Sequence, residues 1–309
     1  MKVMIDDGSN FVKLFYVDGG HEHACIIPSR VIRKALPSMS MNGFSDASYE
    51  VNGEKLSFSS SATETIPTNN KEFQTSSHNR VLIHHALKKA NISERVEVVT
   101  TLPVGQFFNV DGSKNDELIL QKIENVKGTI NYLDKNNPVE ISACYVLPEG
   151  VPAFVYAKQE LKLTGDRFMM VDVGGTTTDI VIINGEDQIE NFKSVNVGAL
   201  KMLKEFSNLV CAQLDLSELT DELTIKGLLS GVVVGVDVSV LAEKVIKSFQ
   251  EIVNESIADF GELKLFDAVV FSGGGANLLN SQYIKALKTK EPQFDNARGA
   301  QLIMGDTYE

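Results

Sequence analysis

The chain has no tryptophan, only three cysteines and few histidines, and it lacks any long apolar run. Cys25, Cys144 and Cys211 are scattered and odd in number, which argues against a disulfide framework and for a reducing, cytoplasmic setting. Without tryptophan, the 16 phenylalanines read as core filling rather than as a stacking platform for bases. Basic residues are in deficit. The 29 Lys and Arg against 41 Asp and Glu leave a formal charge of −12, which disfavours broad, direct nucleic-acid binding. No segment reaches the roughly 18 apolar residues that a membrane span needs. The most apolar stretch, Leu228 to Leu241, is broken by Asp237, glycine and serine. The chain opens on a strand carrying Asp6 and Asp7 rather than on a basic segment with an apolar core, so no secretory leader is expected. His78, His84 and His85 lack the spacing of a zinc site and read as surface or boundary residues of a helix. The three cysteines read as small core residues.

What is present is a pair of like turns. The first is Val3-Met4-Ile5-Asp6-Asp7-Gly8-Ser9-Asn10; the second is Met169-Met170-Val171-Asp172-Val173-Gly174-Gly175-Thr176-Thr177-Thr178-Asp179. Each puts an aspartate at the C-terminal end of a hydrophobic strand, followed by glycine and hydroxyl residues. A D-x-G turn alone also marks an ordinary tight turn. Its recurrence at about half-chain spacing, with a second strand after each, indicates an internal repeat and two related halves.

The pattern between the turns is α/β. Strands are expected at 2–6, 12–17 and 23–27, and a small β-rich subdomain over 36–77, with a hairpin at Asn52-Gly53. Helices are expected at 78–90, at 115–130 (stripe Ile119, Ile123, Val126, Ile130) and at 153–161, with strands at 96–100 and 141–146. The second half repeats strands at 168–173, 178–183 and 189–197, with Asn184-Gly185 closing a hairpin. A helix is expected over 198–211, a connector over 215–232 and a long amphipathic helix over 238–260, ended by Gly261. A strand at 267–271, a helix over 277–287 and a short helix at 297–304 complete the reading. The expected domains are 1–165, with its subdomain at 36–77, and 166–309, with a second small subdomain at about 212–262.

A polyanion needs backbone N–H groups with no Cβ in the way, which Gly8, Gly174 and Gly175 supply. Ser9, Asn10, Thr176 and Thr177 add short donors, and Lys13 can reach back to neutralise phosphate. Asp6 and Asp172 would repel phosphate, and a hydrated Mg²⁺ between them resolves that conflict, because this ion prefers oxygen ligands and keeps several waters. Glu149 follows a buried strand and Pro148. A carboxylate there could orient or deprotonate a water attacking a terminal phosphate, or it could be a solvated turn residue. Gly273-Gly274-Gly275 follows a strand and lets a flat ligand or its sugar approach the backbone, or it serves close helix packing. The dinucleotide fingerprint G-x-G-x-x-G and the G-x-x-x-x-G-K-[ST] loop are both absent.

These segments, in this order, resemble the actin-like ATPase superfamily that also holds the hexokinases and Hsp70 chaperones. The closest resemblance is to the bacterial plasmid-segregation actins called ParM or StbA. It covers essentially the whole chain. Ile5 to Lys13 is similar to the family's first phosphate motif, Val171 to Asp179 to its second, Leu147 to Ala153 to the segment with its catalytic carboxylate, and Val270 to Ala276 to its adenosine motif. The resemblance implies two RNase H-like domains around a nucleotide cleft, each with a small subdomain, and ATP with Mg²⁺ as cofactors. It implies Asp6 and Asp172 at the metal through water, and Gly8, Ser9, Asn10 and Lys13 on the phosphates from one side. Gly174, Gly175, Thr176 and Thr177 would hold the other side. Glu149 and Asp172 would place the attacking water, and Gly273, Gly274 and Gly275 would line the adenosine pocket. It further implies self-association into filaments with ATP hydrolysis, and a small DNA-binding adaptor at a centromere-like plasmid site. Residues Glu218, Glu222 and Lys226 fall where a contact to base or ribose is expected, but the segment from Cys211 to Gly235 departs from a clear pattern. Two alternatives stay open: another bacterial or phage actin-like filament that positions DNA, and a monomeric small-molecule kinase of the same superfamily.

Overall fold

A computed structural model describes residues 1–35, 47–60, 62, 64–133, 137–279 and 286–305. It divides into two compact units; Lys162–Gln293 is the second, and the first combines Met1–Leu161 with the C-terminal helix.

In the first unit, short alternating runs form β1 (Lys2–Asp7), β2 (Phe11–Asp18), β3 (His21–Pro28), β4 (Val31–Ile32), β5 (Ser48–Val51) and β6 (Glu54–Phe58). Then come α1 (Ser77–Lys89), β7 (Val96–Leu102), the one-turn α2 (Val104–Phe107), α3 (Asp116–Lys127), β8 (Asn131–Tyr132), β9 (Ile141–Pro148) and α4 (Val151–Glu160). The large sheet has the order β3-β2-β1-β7-β9. It is antiparallel from β3 to β1 and parallel from β1 to β9. A small sheet has the order β4-β6-β5-β8. Its β5–β6 hairpin turns on Asn52 and Gly53 (φ 52° and 78°), the mirror-image turn that Asn-Gly favours.

Both faces of the central strands β1 and β7 are largely buried, and strand alternation sorts their side chains. Val3, Ile5, Val96 and Val98 pack with Val81, Leu82 and Val126 on the side of α1 and α3. Met4, Phe15 and Val99 face the other way, against Ala297 and Ala300 of the C-terminal helix. That helix also presses on α4: a Cβ on Gly299 would lie 1.7 Å from the Pro152 carbonyl oxygen. Small residues on this helix therefore dock it to the first unit, whereas a simple half-chain division assigns it to the second.

His84 and His85 are buried rather than at the surface. Helix α1 packs on residues of both sheets, so no side of it at this level meets solvent. His85 Nδ1 is 2.8 Å from the Tyr49 hydroxyl and its ring stacks on Phe58, while His84 Nδ1 is 3.1 Å from the Tyr132 hydroxyl. Burial pushes both imidazoles down to about 3, with smaller contributions from Arg80 at His84 and from Lys88 and Lys89 at His85. Cys144 is buried and its thiol is pushed up to about 12 by that burial; Cys25 and Cys211 are only half-buried.

The second unit comprises β10 (Arg167–Val173), β11 (Thr178–Asn184), β12 (Ile189–Val195), α5 (Ala199–Leu214), α6 (Asp221–Ser230), β13 (Val232–Val233), β14 (Val236–Asp237), α7 (Ser239–Ala258), β15 (Ala268–Ser272) and β16 (Ala286–Leu287). The C-terminal helix of the first unit is α8 (Asp295–Met304). The sheet order β12-β11-β10-β15-β16 repeats the first unit, antiparallel then parallel. Met169, Val171 and Val173 pack with Met202 and Phe206 of α5 and with Val245 and Phe249 of α7.

Three local expectations change here. The connector at 215–232 contains α6, which Thr220 caps by accepting from Leu223 N and which Gly231 ends at φ 70°. The Asn184-Gly185 turn extends to Ile189, because Asn184 Oδ1 accepts from the backbone of both Glu186 and Gln188, and Asp187 takes the positive φ. The helix over 277–287 is not formed by its described ends. Ala276–Leu278 is one 3-10 turn, Leu279 is extended and buried in the core, and Ala286–Leu287 pairs with β15. Residues 280–285 lie outside the described residues. No described helix is long and apolar enough to cross a membrane.

Candidate functional site

The adjacent carboxylates Asp6 and Asp7 end the same strand and so point to opposite faces of the sheet. Asp6 shares the face of Met4. There it accepts from Lys13 Nζ at 3.2 Å, its register partner on β2, and from the Asn296 side chain on α8. Burial raises the Asp6 pKa above the ordinary carboxylate value; the Lys13 ammonium pulls it back and Asp7 adds to the rise. The parallel neighbours bring more groups to this face. Thr101 on β7 donates to Glu149 Oε1 at 3.4 Å, and Glu149 N donates to the Leu102 carbonyl at 2.8 Å. Gly150 N donates to Asn296 Oδ1 at 3.1 Å. Asn296 thus connects the Asp6 strand end to the Glu149 turn. Asp6, Lys13 and Glu149 are all buried; Asp6 and Glu149 lie at the C-terminal ends of the parallel strands β1 and β9, where open α/β sheets take their ligands, and Lys13 lies near the start of the antiparallel β2.

The turn beyond Asp6 is held from outside. Ser29 Oγ donates to the Gly8 carbonyl at 2.6 Å and Thr68 Oγ1 to the Ser9 carbonyl at 2.7 Å. A Cβ on Gly8 would stand 3.2 Å from Lys13 Nζ, so glycine keeps the ammonium's position clear. Gly8, Ser9 and Asn10 are half-buried between the largely buried strands β1 and β2.

The second unit repeats this arrangement with different partners. Asp172 ends β10, buried, on the face of Met170. Its register partner is Asp179, where Asp6 has Lys13. Asp179 accepts from Thr177 Oγ1 at 2.8 Å and from Ser194 Oγ. The turn closes by Gly174 N donating to the Thr177 carbonyl at 2.9 Å. The first turn of α5 seats it from below: Ala199 N donates to the Gly174 carbonyl and Leu200 N to the Gly175 carbonyl, at 3.0 and 2.9 Å. Gly198 permits that approach, since its Cβ would lie 2.4 Å from the Gly175 oxygen. Gly174 to Thr177 are half-buried, beside the positive end of the α5 dipole.

Within the same unit, β15 delivers Ser272 beside Asp172. Gly273 (φ 82°) has no room for a Cβ, which would meet Asp172 Oδ1 at 2.3 Å, and a Cβ on Gly275 would meet the Val173 side chain at 2.4 Å. Gly274 differs: it is exposed and a Cβ there meets nothing within 4 Å. Packing explains the two outer glycines, while the middle one leaves bare backbone that a ligand could approach. The structure therefore groups Asp6, Gly8 and Lys13 with Glu149 in the first unit, and Asp172 and Gly174–Thr177 with Gly273–Gly275 in the second. Glu218 lies exposed before α6, and Glu222 and Lys226 lie exposed on it.

A divalent ion fits this donor chemistry. Each strand end offers one carboxylate, Asp6 or Asp172, and no group of three metal-ligating side chains occurs among the described residues. Either carboxylate would suit Mg²⁺, an ion that prefers oxygen ligands and keeps several waters.

Sequence reasoning passed over Asn296, Thr101 and the other aspartate. Asp7 is fully buried on the α1/α3 side, where it accepts from Lys122 Nζ, from Thr100 Oγ1 and from Asn79 Nδ2 at 2.5 Å. Lys122 also donates to Gln74 and, at 3.2 Å, to Asn79. The β1 alternation already required Asp7 to face inward. Lys122 lies three residues after Ile119 and four before Val126, inside the predicted apolar stripe of α3, and that was the available signal.

A family model described as "Plasmid segregation protein ParM, N-terminal" matches residues 1–160, and one described as "Archaeal actin homologue MreB-like, C-terminal" matches residues 170–284. None of the curated proteins matches. Among solved structures, an archaeal actin homologue superposes with TM-score 0.78 at 20% identity over 98% of both chains. The same homologue in complex with ADP gives 0.77 at 19% identity, again over 98% of both chains. A ParM from Clostridium botulinum, solved as a 15-stranded filament, gives 0.74 at 18% identity over 98% of both chains. At these identities the likeness establishes the actin-like fold.

Proposed function

Because the chain belongs to the plasmid segregation protein ParM family by its N-terminal domain, we propose that it is an ATP-dependent, filament-forming actin-like protein that partitions low-copy plasmid DNA. In this reading Gly8, Ser9, Asn10 and Lys13 bind phosphates from one side and Gly174, Gly175, Thr176 and Thr177 from the other. Asp6 and Asp172 would hold Mg²⁺ through water. Glu149, with Asp172, orients the water that attacks the γ-phosphate, and Gly273–Gly275 face the adenosine. The bound Mg²⁺ would neutralise charge on the phosphates. Lys13 faces Asp6 as its register partner on β2 and brings a cation to that strand end. The observation that carries the reading is the repeated strand end: one sheet topology in both units, each with a buried aspartate and a glycine turn at the same place.

Hydrolysis within the filament would make it unstable unless its ends are held. A small DNA-binding adaptor at a centromere-like site would then capture an end, and direct DNA contact by a chain of charge −12 is not needed. The decisive experiment is light scattering after adding ATP and Mg²⁺, with phosphate release recorded in the same sample. Scatter that rises and then decays as phosphate appears supports the reading; flat scatter over a wide protein range overturns it. The Glu149→Gln variant should still assemble, with phosphate release at least about a hundredfold slower and filaments that persist. The archaeal C-terminal match supports a second reading, a filament without plasmid cargo. Filaments that form but capture no DNA through any protein encoded beside this chain would favour it.

A further inference from the structure

Three described hairpins turn on two residues of positive φ, and in β2–β3 both are glycine, Gly19-Gly20, at φ 54° and 79°. In β5–β6 the turn is Asn52-Gly53, at φ 52° and 78°; in β13–β14 it is Val234-Gly235, at φ 49° and 78°. The geometry favours Asn-Gly because both positions have positive φ. A β-branched residue there is a true outlier, since its Cβ crowds the backbone. Burial does not compensate Val234, which is 73% exposed. The neighbourhood is apolar too. Leu229 at the end of α6, Val232 and Val236 in the hairpin and Val240 at the start of α7 are all exposed. Val233 alone turns inward, onto Gly227, where a Cβ would leave it no space. A residue that breaks its local rule with no gain inside the chain points to a gain outside it.

We infer that the Val232–Asp237 hairpin is a knob that inserts into a second copy of this chain. The inference rests on the filament reading and deepens it. A protruding tip needs a recess on the next copy. Where copies follow one another head to tail, as the filament reading requires, such a contact repeats along the assembly unless the rotation closes. Charge favours this spot. Copies of net charge −12 repel one another, and between Leu229 and Val240 only Asp237 is charged. The exposed side chains are too few for the roughly 800 Å² per partner of a stable pairwise complex, which fits one contact within a repeated interface.

The test uses the full chain and the variant Val234→Asn, which keeps the turn and removes the apolar tip. The variant should melt at the same or a higher temperature and bind ATP as a monomer with unchanged affinity. Its critical concentration for sedimenting with ATP and Mg²⁺ should rise at least tenfold. If the variant sediments at the wild-type concentration, the knob is wrong while the filament reading stands, and the tip meets something other than a second copy. A lower melting temperature overturns the turn argument and the proposal with it. If the wild-type chain never sediments with any adenine nucleotide, both readings fall.

Discussion

Behind Asp6 in the first unit stands Asp7; behind Asp172 in the second stands Val173. The two sheets share one strand order, and these residues occupy equivalent positions, on the face toward the helices that follow. Val173 settles into the apolar core with Phe271 and Ala276. Asp7 instead anchors a buried polar set that reaches Lys122 of α3, Asn79 of α1, Gln74 before α1 and Thr100 of β7. One backbone thus tolerates either apolar packing or a desolvated ion pair behind its glycine turn. Buried pairs of this kind add little stability over good apolar packing but are costly to break. What the first unit gains is specificity: its turn is tied by directional bonds to two helices, whereas the second turn is tied by the backbone of α5.

The largest expected effect comes from breaking that difference. Lys122→Met leaves a fully buried carboxylate without its ammonium and should cost about 3–5 kcal/mol in urea unfolding. Adding Asp7→Val gives the first unit the second unit's solution and should recover at least half of the loss. A single variant that costs less than about 1 kcal/mol, or a double variant no better than the single, would show that the pair is not an isolated charge couple.

The units also differ in histidine. All five lie before residue 86 and none lies in the second unit. His84 and His85 stay neutral when folded, pushed down to about 3, but take up protons near 6.5 when unfolded. The unfolded state therefore binds more protons as pH falls from about 6.5 toward 3. Stability of the first unit should drop by about 1.4 kcal/mol per pH unit for each histidine in that window, or roughly 2–3 kcal/mol for the pair. Hydrogen exchange at pH 7 and pH 5.5 should show residues 1–161 opening before 162–293. His78, pushed down to about 4 by burial, shares that window, so His85→Phe should cut the slope by about a third, and an unchanged slope would remove His85 as a cause.

A smaller effect tests the faces toward the ligand. Asp6 lies opposite Lys13 and Asp172 opposite Asp179, so only the first turn carries a cation in register. Lys13→Ala should weaken ATP binding at least tenfold, about 1.4 kcal/mol, in a fluorescence titration with the circular dichroism unchanged. Asp179→Asn, which keeps an oxygen to accept from Thr177 or Ser194, should weaken it less. The reverse order would move the phosphate contact to the second turn.

Much of this was legible in the sequence, because period-two alternation and glycine turns are local signals. Ile5-Asp6-Asp7-Gly8 and Val171-Asp172-Val173-Gly174 announce strand ends whether or not the rest of the chain is known. Asn296 was not legible: it meets Gly150 across 146 residues, and nothing local distinguishes it from any helix-start asparagine. Lys122 reads as solvated until its place between Ile119 and Val126 is weighed. The histidines were misjudged because adjacent helical residues diverge by about 100°, which implies an exposed side only when a helix has one. Helix α6 was hidden by its brevity, although Thr220 and Gly231 bracket it as caps. The stretch after Gly275 carried apolar residues at helical spacing, yet Leu279 is claimed by the core and Ala286–Leu287 by the sheet edge.

The smallest effect sharpens the contrast between the two hairpins. Asn52→Val copies the second hairpin's strained tip into the first, where Asn52 now sits at φ 52°. The side chain should cost roughly 1 kcal/mol in that left-handed position, because branching at Cβ crowds the backbone and valine lacks the local hydrogen bond that eases asparagine there. Assembly should not respond, since the β5–β6 turn gains a valine but lacks the exposed apolar neighbours that Leu229, Val236 and Val240 provide at the other tip. Chemical denaturation and sedimentation on the same preparation separate the two readouts. A variant that loses no stability would mean that valine is at ease in this turn geometry, and the presence of Val234 at the second tip would then require no partner to explain it.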